Sequence, residues 1–419
     1  MADGITRIAV EGFKSIVNRQ EIEIAPLTIL AGANSSGKSS IMQPLLMLKQ
    51  TLEAQYDPGP LLLDGANVRF TSSDQFLSRT EDRTSGKLLT IEIATTGCEY
   101  ALVFGKAEKR DIEVIEQRYT LGVDGGEVIT LRPEMTPNEV QKALSSTNFK
   151  NETTGRVVRK RFLLDIDTAR FGHLNEIKRF PITDSMQNVI HVPGLRGSRD
   201  RSQNRAGTGP LFPGAFDTYA ASIIDQWQSD EPSKLAELNQ DLQHVLGVVE
   251  KVEAYRLNET QIEVRVNRLT SCDDMVSLSD VGFGVSQVLP VLVALRAADQ
   301  RNLVYIEEPE IHLHPRAQVK LGDILARAAQ DGARVIAETH STLLLTAIQT
   351  LVAKGELASN LVKFHWFERD PKAGVTRVSS TGLDSNGTFT ESDWPEDFDD
   401  IILNAEGAYL DAVEGRQVR

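Results

Sequence analysis

The sequence predicts an α/β fold in which a mixed β-sheet is flanked by helices and carries a β-rich and helical insertion. Three observations predict it. The apolar run at residues 27–30 enters a glycine-rich turn, and an apolar-rich helical stretch leaves that turn. A second apolar run, residues 303–306, ends in two acids, and a third, residues 335–337, ends in Glu-Thr-His-Ser. Short apolar runs that alternate with helical patterns are typical of strands in a sheet covered by helices.

The composition is that of a globular protein large enough for more than one domain, with 419 residues, 41% hydrophobic and 25% charged. The formal net charge of -14 argues against binding nucleic acid over the whole surface, although it leaves room for a local basic groove. Cys98 and Cys272 match neither zinc spacing nor a disulfide framework, so we expect a cytoplasmic location. We expect no signal peptide and no membrane-spanning segment.

The N-terminal part alternates apolar and polar positions, as half-buried strands do. A helix with one apolar stripe is predicted from Lys38 to about Leu52. The predicted strands of this part are residues 5–10, 21–24, 27–30, 61–63, 68–70, 88–94 and 100–104.

Residues 32–39 match the phosphate-binding loop pattern G-x-x-x-x-G-K-[ST] at every fixed position. Gly32 and Gly37 allow a tight turn whose N–H groups point at an anion, and the helix start adds further unpaired N–H groups. Lys38 supplies a point charge for the β- and γ-phosphates, and the Ser39 hydroxyl is a ligand for Mg²⁺. A chance match is disfavoured by the strand-loop-helix context, so the chain is predicted to bind a nucleoside triphosphate.

Residues 110–180 are mixed and polar, which indicates an insertion into the nucleotide domain. We therefore predict three parts: residues 1–109 as an N-terminal lobe, 110–267 as an insertion for dimerisation or docking, and 268–419 as a C-terminal lobe. The insertion contains short strands and a short helix within residues 133–145. Its basic cluster is more typical of a solvated face than of a nucleic-acid site and consists of Arg156, Arg159, Lys160 and Arg161.

An arginine-rich loop follows the buried-type strand at residues 188–192 and is the most cationic stretch of the chain. Two interpretations stay open: a flexible exposed loop, or a contact with an anion, either a nucleotide or a nucleic acid. Its arginines are Arg196, Arg199, Arg201 and Arg205.

Two helices and a hairpin are predicted after this loop. The helices cover residues 215–227 and 233–246, and Ser233 is the expected N-cap of the second. The hairpin pairs residues 248–257 with 261–266.

The acids that end the run at residues 303–306 suit the second half of a nucleotide site. Glu307 is predicted in the Mg²⁺ shell through a metal-bound water, and Glu308 is the candidate to orient or polarise the attacking water. His340 follows another buried strand and opens a helix, where it can reach a γ-phosphate. His312 and His314 have no third ligand nearby, so a structural or interface role is favoured over a metal site.

A second helix-start anion site is predicted at Gly282 and Gly284, which precede an apolar helix. One nucleotide needs only one phosphate loop. The second site fits best if it caps the nucleotide bound by a partner subunit, so we expect a homodimer or a larger homo-oligomer.

The order of these motifs resembles the ABC-type ATPase heads of the SMC/RecF class. More closely, it resembles the stand-alone bacterial ATPases of the OLD-like, AAA_15/AAA_21 kind, many of which belong to anti-phage defence systems. The resemblance covers both ends of the chain. Its matching segments are Gly12-Phe13-Lys14-Ser15, Pro26-Leu27-Thr28, Asn34-Ser35-Ser36-Gly37-Lys38-Ser39-Ser40, residues 280–287, residues 307–315, Glu338-Thr339-His340-Ser341, residues 383–387 and residues 394–398.

The resemblance implies ATP and Mg²⁺ as cofactors, with Glu308 as the catalytic residue and His340 as the switch histidine. It implies Gln75 as the Q-loop residue that joins the metal with Ser39 and Glu307. It also implies a signature segment acting across a dimer, formed by residues 282–287 with Gly282, Gly284, Ser286 and Gln287. The segment lacks the common Leu-Ser-Gly-Gly form, so either Ser279 or Ser286 contacts the γ-phosphate. We expect no nuclease (Toprim) domain, zinc hook or long coiled coil.

The function predicted from these features is an ABC-class ATPase that dimerises around ATP and acts on a partner effector, a nucleic acid or a phage component. The alternative is a nucleotide-dependent sensor with negligible turnover, in which residues 110–266 form a docking module. A self-contained nuclease is disfavoured, because no further Asp, Glu and His cluster with metal spacing stands out.

Overall fold

The structure is a computed structural model, and it describes residues 4–79, 86–106, 112–122, 126–145, 155–168, 172–173, 181–196, 200–268 and 274–390. Within these ranges two six-stranded sheets and two smaller sheets are accompanied by helices. The predicted α/β class is confirmed. Arg199, Cys272 and residues 394–398 lie outside the described residues.

The strands are β1 (Ile5–Glu11), β2 (Gln20–Glu23), β3 (Leu27–Gly32), β4 (Leu88–Thr95), β5 (Cys98–Gly105), β6 (Glu113–Leu121), β7 (Glu127–Leu131), β8 (Gly155–Lys160), β9 (Leu163–Thr168), β10 (Gly172–His173), β11 (Val189–Val192), β12 (Gln203–Asn204), β13 (Lys251–Arg256), β14 (Gln261–Asn267), β15 (Met275–Ser277), β16 (Leu303–Glu307), β17 (Arg334–Thr339), β18 (Val362–Arg369) and β19 (Thr376–Thr381). The α-helices are α1 (Lys38–Glu53), α2 (Pro137–Leu144), α3 (Pro181–Gln187), α4 (Ala220–Asp230), α5 (Pro232–Leu246), α6 (Phe283–Ala297), α7 (Pro315–Gln330) and α8 (Thr342–Ala353).

The central sheet has the order β11-β16-β17-β3-β18-β19 and is parallel except for β19. Every residue of β3 is buried. Leu27, Ile29 and Ala31 point into a core built with helices α4 to α8. Leu30 points into the opposite core, which α1 and the second large sheet complete. Both faces of β3 are therefore covered, which explains its continuous apolar sequence.

The second six-stranded sheet is antiparallel, with the order β2-β1-β4-β5-β6-β7. It includes strands from both sides of residue 110, and β11 of the predicted insertion belongs to the central sheet. The sheets thus cross the predicted boundary at residues 109 and 110, and the three-part division stays a prediction.

Two local predictions are wrong. Residues 61–63 and 68–70 form no strand among the described residues; an isolated bridge joins Asp64 to Arg69. The reason is the Gln50 side chain, which donates to the carbonyl oxygens of Leu62 and Val68 and so takes the place of a strand partner.

The N-cap of α5 is also not Ser233. Glu231 occupies that position and Pro232 follows as the first helical residue, where its missing N–H costs no helical hydrogen bond. The preceding predicted helix begins with a 3-10 turn, Phe216–Tyr219, before α4. Of the helices that the structure describes, none has both the length and the apolar character needed to cross a membrane.

Candidate nucleotide site

The phosphate-binding loop connects β3 to α1, and its backbone requires glycine at both ends. The φ angles are 145° at Gly32 and 107° at Gly37. A Cβ atom would lie 2.3 Å from the carbonyl oxygen of Phe367 at Gly32, and 2.5 Å from Thr376 Oγ1 at Gly37. Ser35 between them also has a positive φ, of 62°. The loop is thus wound so tightly that side chains are excluded where it meets β18 and β19.

Lys38 begins α1 and is buried in the centre of this loop. Its Nζ donates to the carbonyl oxygens of Gly32 and Ala33, at 3.0 Å in each case. Burial lowers the pKa of Lys38 below its ordinary value, and the nearby Glu338 carboxylate opposes that shift. The ammonium group is therefore poised at the place that the sequence predicts for the phosphates.

Two segments far apart in the chain support the loop. The backbone N–H of Thr376, at the start of β19, donates to the carbonyl oxygen of Ser15 at 2.7 Å. The Thr376 hydroxyl lies 2.7 Å from Ser15 Oγ and 2.7 Å from the carbonyl oxygen of Ser36. This contact holds the turn of the loop against β19.

Glu338, at the end of β17, is the carboxylate beside the loop. Strand β17 pairs directly with β3, whereas β16 lies one strand further away. Ser39 Oγ donates to Glu338 Oε1 at 2.8 Å, and the buried Tyr305 hydroxyl donates to Oε2 at 2.7 Å. Burial raises the pKa of Glu338 to about 7. Glu338 belongs to the Glu-Thr-His-Ser motif, but the sequence pattern assigns it no role; the signal that could have found it is an acid directly after the apolar run at residues 335–337.

Glu307 is not brought to Ser39. Its Oε2 accepts a hydrogen bond from the backbone N–H of Gly194 at 3.0 Å, and its Oε1 lies 3.3 Å from His191 Nε2. Burial by itself raises the pKa of Glu307, but the contact with His191 and the hydrogen bond from the Gly194 N–H outweigh it, so the pKa lies below its ordinary value. The predicted place of Glu307 in the metal shell therefore has no support from the position of its side chain.

Glu308 and His340, the residues predicted to be catalytic, face one another at the cleft. Glu308 has a φ of 44°, a left-handed conformation that costs a non-glycine residue about 1–3 kcal/mol. Its backbone N–H donates to the carbonyl oxygen of Glu338 at 2.8 Å, which fixes this turn. Its carboxylate is 38% exposed and lies 3.7 Å from His340 Nε2. The acid is thus held in place by its backbone while its side chain stays accessible.

The hydrogen bonds of His340 determine which ring nitrogen carries the proton. Nδ1 lies 3.4 Å from Lys38 Nζ, and an ammonium group only donates, so Nδ1 accepts and Nε2 carries the proton. Burial and the Lys38 charge lower the pKa of His340, so the ring is neutral at pH 7. A neutral N–H donor therefore points toward the Glu308 side of the cleft.

Glu310 positions His340, a role that sequence reasoning missed. The buried Glu310 Oε1 accepts from Thr339 Oγ1 at 2.6 Å and from the His340 backbone N–H at 2.9 Å. This carboxylate joins the segment after β16 to the end of β17, so Glu308 and His340 are held at a fixed separation.

These groups share one cleft with a volume of about 1680 Å³. It is lined by the predicted loop residues Asn34, Ser35, Gly37, Lys38, Ser39 and Ser40, together with Gln75, Glu308, Glu338 and His340. Ser36 is buried behind the loop. Gln75 reaches the cleft, but its amide is hydrogen-bonded to Thr71, with N···O and O···N distances of 2.8 Å. The cationic residues of the lining are Lys14, Lys38, Arg79, Arg369 and Lys372.

The signature segment lies elsewhere on the chain. Gly282 is the N-cap residue of α6, and Gly284 lies in its first turn. Ser286 Oγ donates to the carbonyl oxygen of Phe283 within the same helix at 3.0 Å, and Gln287 is buried. None of Gly282, Gly284, Ser286 and Gln287 is among the described residues that line the cleft. The two predicted anion sites are therefore separate in one chain.

Neither of the two interpretations left open for the arginine-rich loop, a flexible exposed loop or an anion contact, holds for Arg196, which is 4% exposed. Its guanidinium donates to the carbonyl oxygens of Gln287 at 2.8 Å, Glu307 at 2.6 Å and Glu308 at 2.9 Å. It also donates to the carbonyl oxygen of Pro193, so its donors are used inside the protein. Burial lowers the pKa of Arg196 to about 10.

The other described arginines of this loop face acids. Arg201 pairs with Asp280 at 3.0 Å, and Arg205 lies 3.6 Å from Asp225. The structural role favoured for His314 is seen at the start of α7, where its Nδ1 accepts from the Arg316 backbone N–H. The described residues include no group of three or more His, Cys, Asp or Glu side chains arranged to hold a metal ion.

Comparison with known families gives two matches that together span residues 4–346. Residues 4–188 match AAA_15, described as an AAA ATPase domain. Residues 140–346 match AAA_21, described as an AAA domain, putative AbiEii toxin, Type IV TA system. The chain is also 22% identical over 363 residues to a protein of Escherichia phage P2 named Old nuclease. That match covers 82% of this chain and 57% of the phage protein, so the chain spans a little over half of this relative.

Solved structures similar to this chain include three SMC heads. An SMC head bound to the C-terminal winged-helix domain of ScpA has a TM-score of 0.48 and 13% identity, and the match covers 91% of this chain and 98% of that one. The SMC head domain from Thermotoga maritima has a TM-score of 0.40 and 11% identity, with 90% and 98% covered. An SMC head with an extended coiled coil, bound to a ScpA domain derived from Pyrococcus furiosus, has a TM-score of 0.46 and 12% identity, with 90% and 96% covered.

Proposed function

We propose that this chain is an ABC-class ATPase of the SMC- and OLD-like type, and that two copies close around ATP and Mg²⁺ to control a partner effector. The observation that carries the proposal is the convergence of Lys38, Ser39, Glu308 and His340 on one cleft. Each arrives from a different part of the sequence. Phosphoryl transfer to water requires such groups to be positioned together beside a phosphate-binding loop.

Each residue of the cleft has a separate role in the proposed reaction. The backbone N–H groups of the loop and the Lys38 ammonium bind the β- and γ-phosphates. Glu308 orients the attacking water and accepts its proton, and His340 donates its Nε2–H toward the γ-phosphate. Mg²⁺ fits the hydroxyl and carboxylate oxygens beside the loop, and when bound it neutralises phosphate charge.

The signature segment supports a dimer. Gly282 is exposed at the start of α6, and it lies outside the phosphate cleft of its own chain. A helix start with free N–H groups is an anion site. In the proposed dimer this helix start covers the nucleotide held by the loop of the second copy, and hydrolysis releases the two copies.

The output of the cycle is proposed to pass to an effector protein, with residues 110–267 as the docking region, in bacterial anti-phage defence or a DNA-related process. Burial of Arg196 removes one basis for a nucleic-acid contact at the arginine-rich loop, so a protein partner is favoured. The match to a phage protein named Old nuclease supports the DNA-related process by similarity alone.

The test is the mass of Glu308→Gln measured by light scattering with and without ATP and Mg²⁺. We expect a nucleotide-dependent rise to a dimer or a larger assembly, because the amide keeps the shape of the acid but cannot accept the proton of water. Lys38→Ala should lose both nucleotide binding and the mass change. Glu259→Gln, on an exposed hairpin turn, is the matched control and should behave as the wild type.

Two outcomes would contradict the proposal. Normal ATP turnover by Lys38→Ala would remove the loop from the mechanism. Negligible turnover by the wild type, together with ATP-dependent assembly, would favour the alternative function, a nucleotide-dependent sensor.

A further inference from the structure

Two carboxylates end adjacent strands next to the phosphate-binding loop, and only one of them reaches it. Glu338 of β17 is in register with Glu307 of β16 on one side and with Leu30 of β3 on the other. Neighbouring strands lie about 4.8 Å apart. Glu338 is therefore one strand spacing from the strand that leads into the loop, and Glu307 is two.

The hydrogen bonds of Glu338 leave one oxygen directed at the loop. The Tyr305 hydroxyl holds Oε2 at 2.7 Å, and Oε1 receives the Ser39 hydroxyl at 2.8 Å. The carboxylate is 5% exposed and lines the cleft. A carboxylate taken out of water is costly unless a cation or several donors compensate it. The nearby Lys38 ammonium donates to two loop carbonyl oxygens rather than to this carboxylate.

Glu307 is engaged in a different direction. The Gly194 N–H and His191 hold its two oxygens on the far side of β16 from β3. It does not line the cleft as the structure describes it. Glu307, which the motif order assigns to the metal, thus has both oxygens bound to other groups, while Glu338 contacts the hydroxyl of Ser39.

We propose that Glu338 is a metal-holding carboxylate of this site, and that its Oε1 and the Ser39 hydroxyl take a divalent cation together. This assignment rests on the proposed nucleotide site and adds a residue to it. Hydroxyl and carboxylate oxygens are hard donors, and Mg²⁺ is commonly bound by one or two carboxylates together with substrate phosphates and water. Tyr305 orients the carboxylate as an outer hydrogen-bond partner of a metal ligand does.

The experiment measures Mn²⁺ affinity by electron paramagnetic resonance in the presence of a non-hydrolysable ATP analogue. Glu338→Gln is compared with Glu307→Gln, which removes the same charge one strand further from the loop. Analogue affinity is measured separately in EDTA. We expect Glu338→Gln to weaken Mn²⁺ binding by at least the roughly 10- to 100-fold that loss of an outer hydrogen-bond partner costs, and to keep its analogue affinity in EDTA, while Glu307→Gln loses much less Mn²⁺ affinity.

Folding is checked by thermal unfolding, and Glu338→Asp is the second variant. It keeps the charge on a shorter side chain, so its Mn²⁺ affinity should lie between those of the wild type and Glu338→Gln. Wild-type Mn²⁺ affinity in both Glu338 variants, or a loss confined to Glu307→Gln, would overturn the assignment. A wild-type chain that binds no analogue with or without metal would instead overturn the proposed function, and the metal assignment with it.

Discussion

His365 is a buried residue of β18 whose ring nitrogens are both hydrogen-bonded outside its own strand. Nε2 lies 2.8 Å from the carbonyl oxygen of Glu23, and Nδ1 lies 2.7 Å from Ser380 Oγ. A carbonyl only accepts, so Nε2 carries the proton and Nδ1 accepts from the Ser380 hydroxyl. Burial lowers the pKa of His365 to about 4. The folded chain therefore keeps this ring neutral where an unfolded chain does not.

The pH dependence of stability follows from that difference. Below its ordinary pKa of about 6.5, the ring takes up a proton in the unfolded chain but not in the folded one. Its contribution to stability is present above pH 6.5 and is lost as the pH falls toward 4. Between pH 7 and pH 5 the wild type should lose about 2 kcal/mol more free energy of unfolding than His365→Gln.

Denaturant unfolding at both pH values measures this loss. His244→Gln is the control, because His244 is a partly exposed residue beside Asp323, and this change should not remove the loss. An identical pH dependence in His365→Gln and the wild type would show that the ring is not kept neutral by the fold.

At the scale of elements, Arg196 joins the start of α6 to the end of β16. One guanidinium contacts the carbonyl oxygens of Gln287, Glu307 and Glu308, and Gln287 Nε2 donates back to the Arg196 carbonyl oxygen. The signature helix and the segment that holds the proposed catalytic acid thus share one buried connector. A displacement of α6 by a partner subunit would act on the backbone of Glu308 through this side chain.

Arg196→Lys tests the connector. Three ammonium donors on one nitrogen cannot reproduce the planar fork of Arg, so buried carbonyl oxygens lose partners at a cost of about 1–3 kcal/mol each. We expect a lower Tm and slower ATP turnover, with ATP affinity retained because the loop is untouched. Arg201→Lys, at an exposed ion pair with Asp280, is the control and should change neither the Tm nor the ATP turnover. Unchanged turnover in Arg196→Lys would mean that the connector is structural only.

Some of these elements can be predicted from the sequence and others cannot. The predicted ends lie within about two residues of the observed ends for β3, β16, β17 and α1. For the three strands the reason is burial on both faces, which requires a continuous apolar run. The prediction of strands within residues 61–70 failed because the side chain of Gln50, which belongs to α1, binds the backbone of this segment, and strand patterns do not reveal such a contact. Glu338 received no role because a sequence does not state strand order, and only the placement of β17 beside β3 brings this acid to Ser39.

For the whole molecule, the central sheet separates two cores, and the phosphate loop and the signature segment open at different places on the surface. Phe283, the first residue of α6, is 52% exposed. Aromatic residues are enriched in protein–protein interfaces, and Phe283 lies beside the predicted second anion site. In the proposed dimer this residue lies at the interface between the two copies.

Phe283→Asp should abolish the ATP-dependent rise in mass and leave the ATP affinity of the single chain unchanged, because the added charge lies at the proposed interface and outside the cleft. Light scattering and equilibrium nucleotide binding measure the two effects. Val248→Asp introduces the same charge at another exposed apolar residue, 63% exposed, and should still assemble. Assembly of Phe283→Asp at the wild-type ATP concentration would exclude this face from the interface.

The order of strands in the central sheet has a consequence for synthesis on the ribosome. Strand β3 ends at Gly32, but its two neighbours, β17 and β18, begin at Arg334 and Val362. About 300 residues must emerge before either partner exists, which takes about 15–60 s at common elongation rates. During that time β3, whose residues are all buried in the folded protein, has no partner on either edge and is available to chaperones or to other nascent chains. Slower elongation between these positions should therefore increase aggregation before it alters any property of the folded protein.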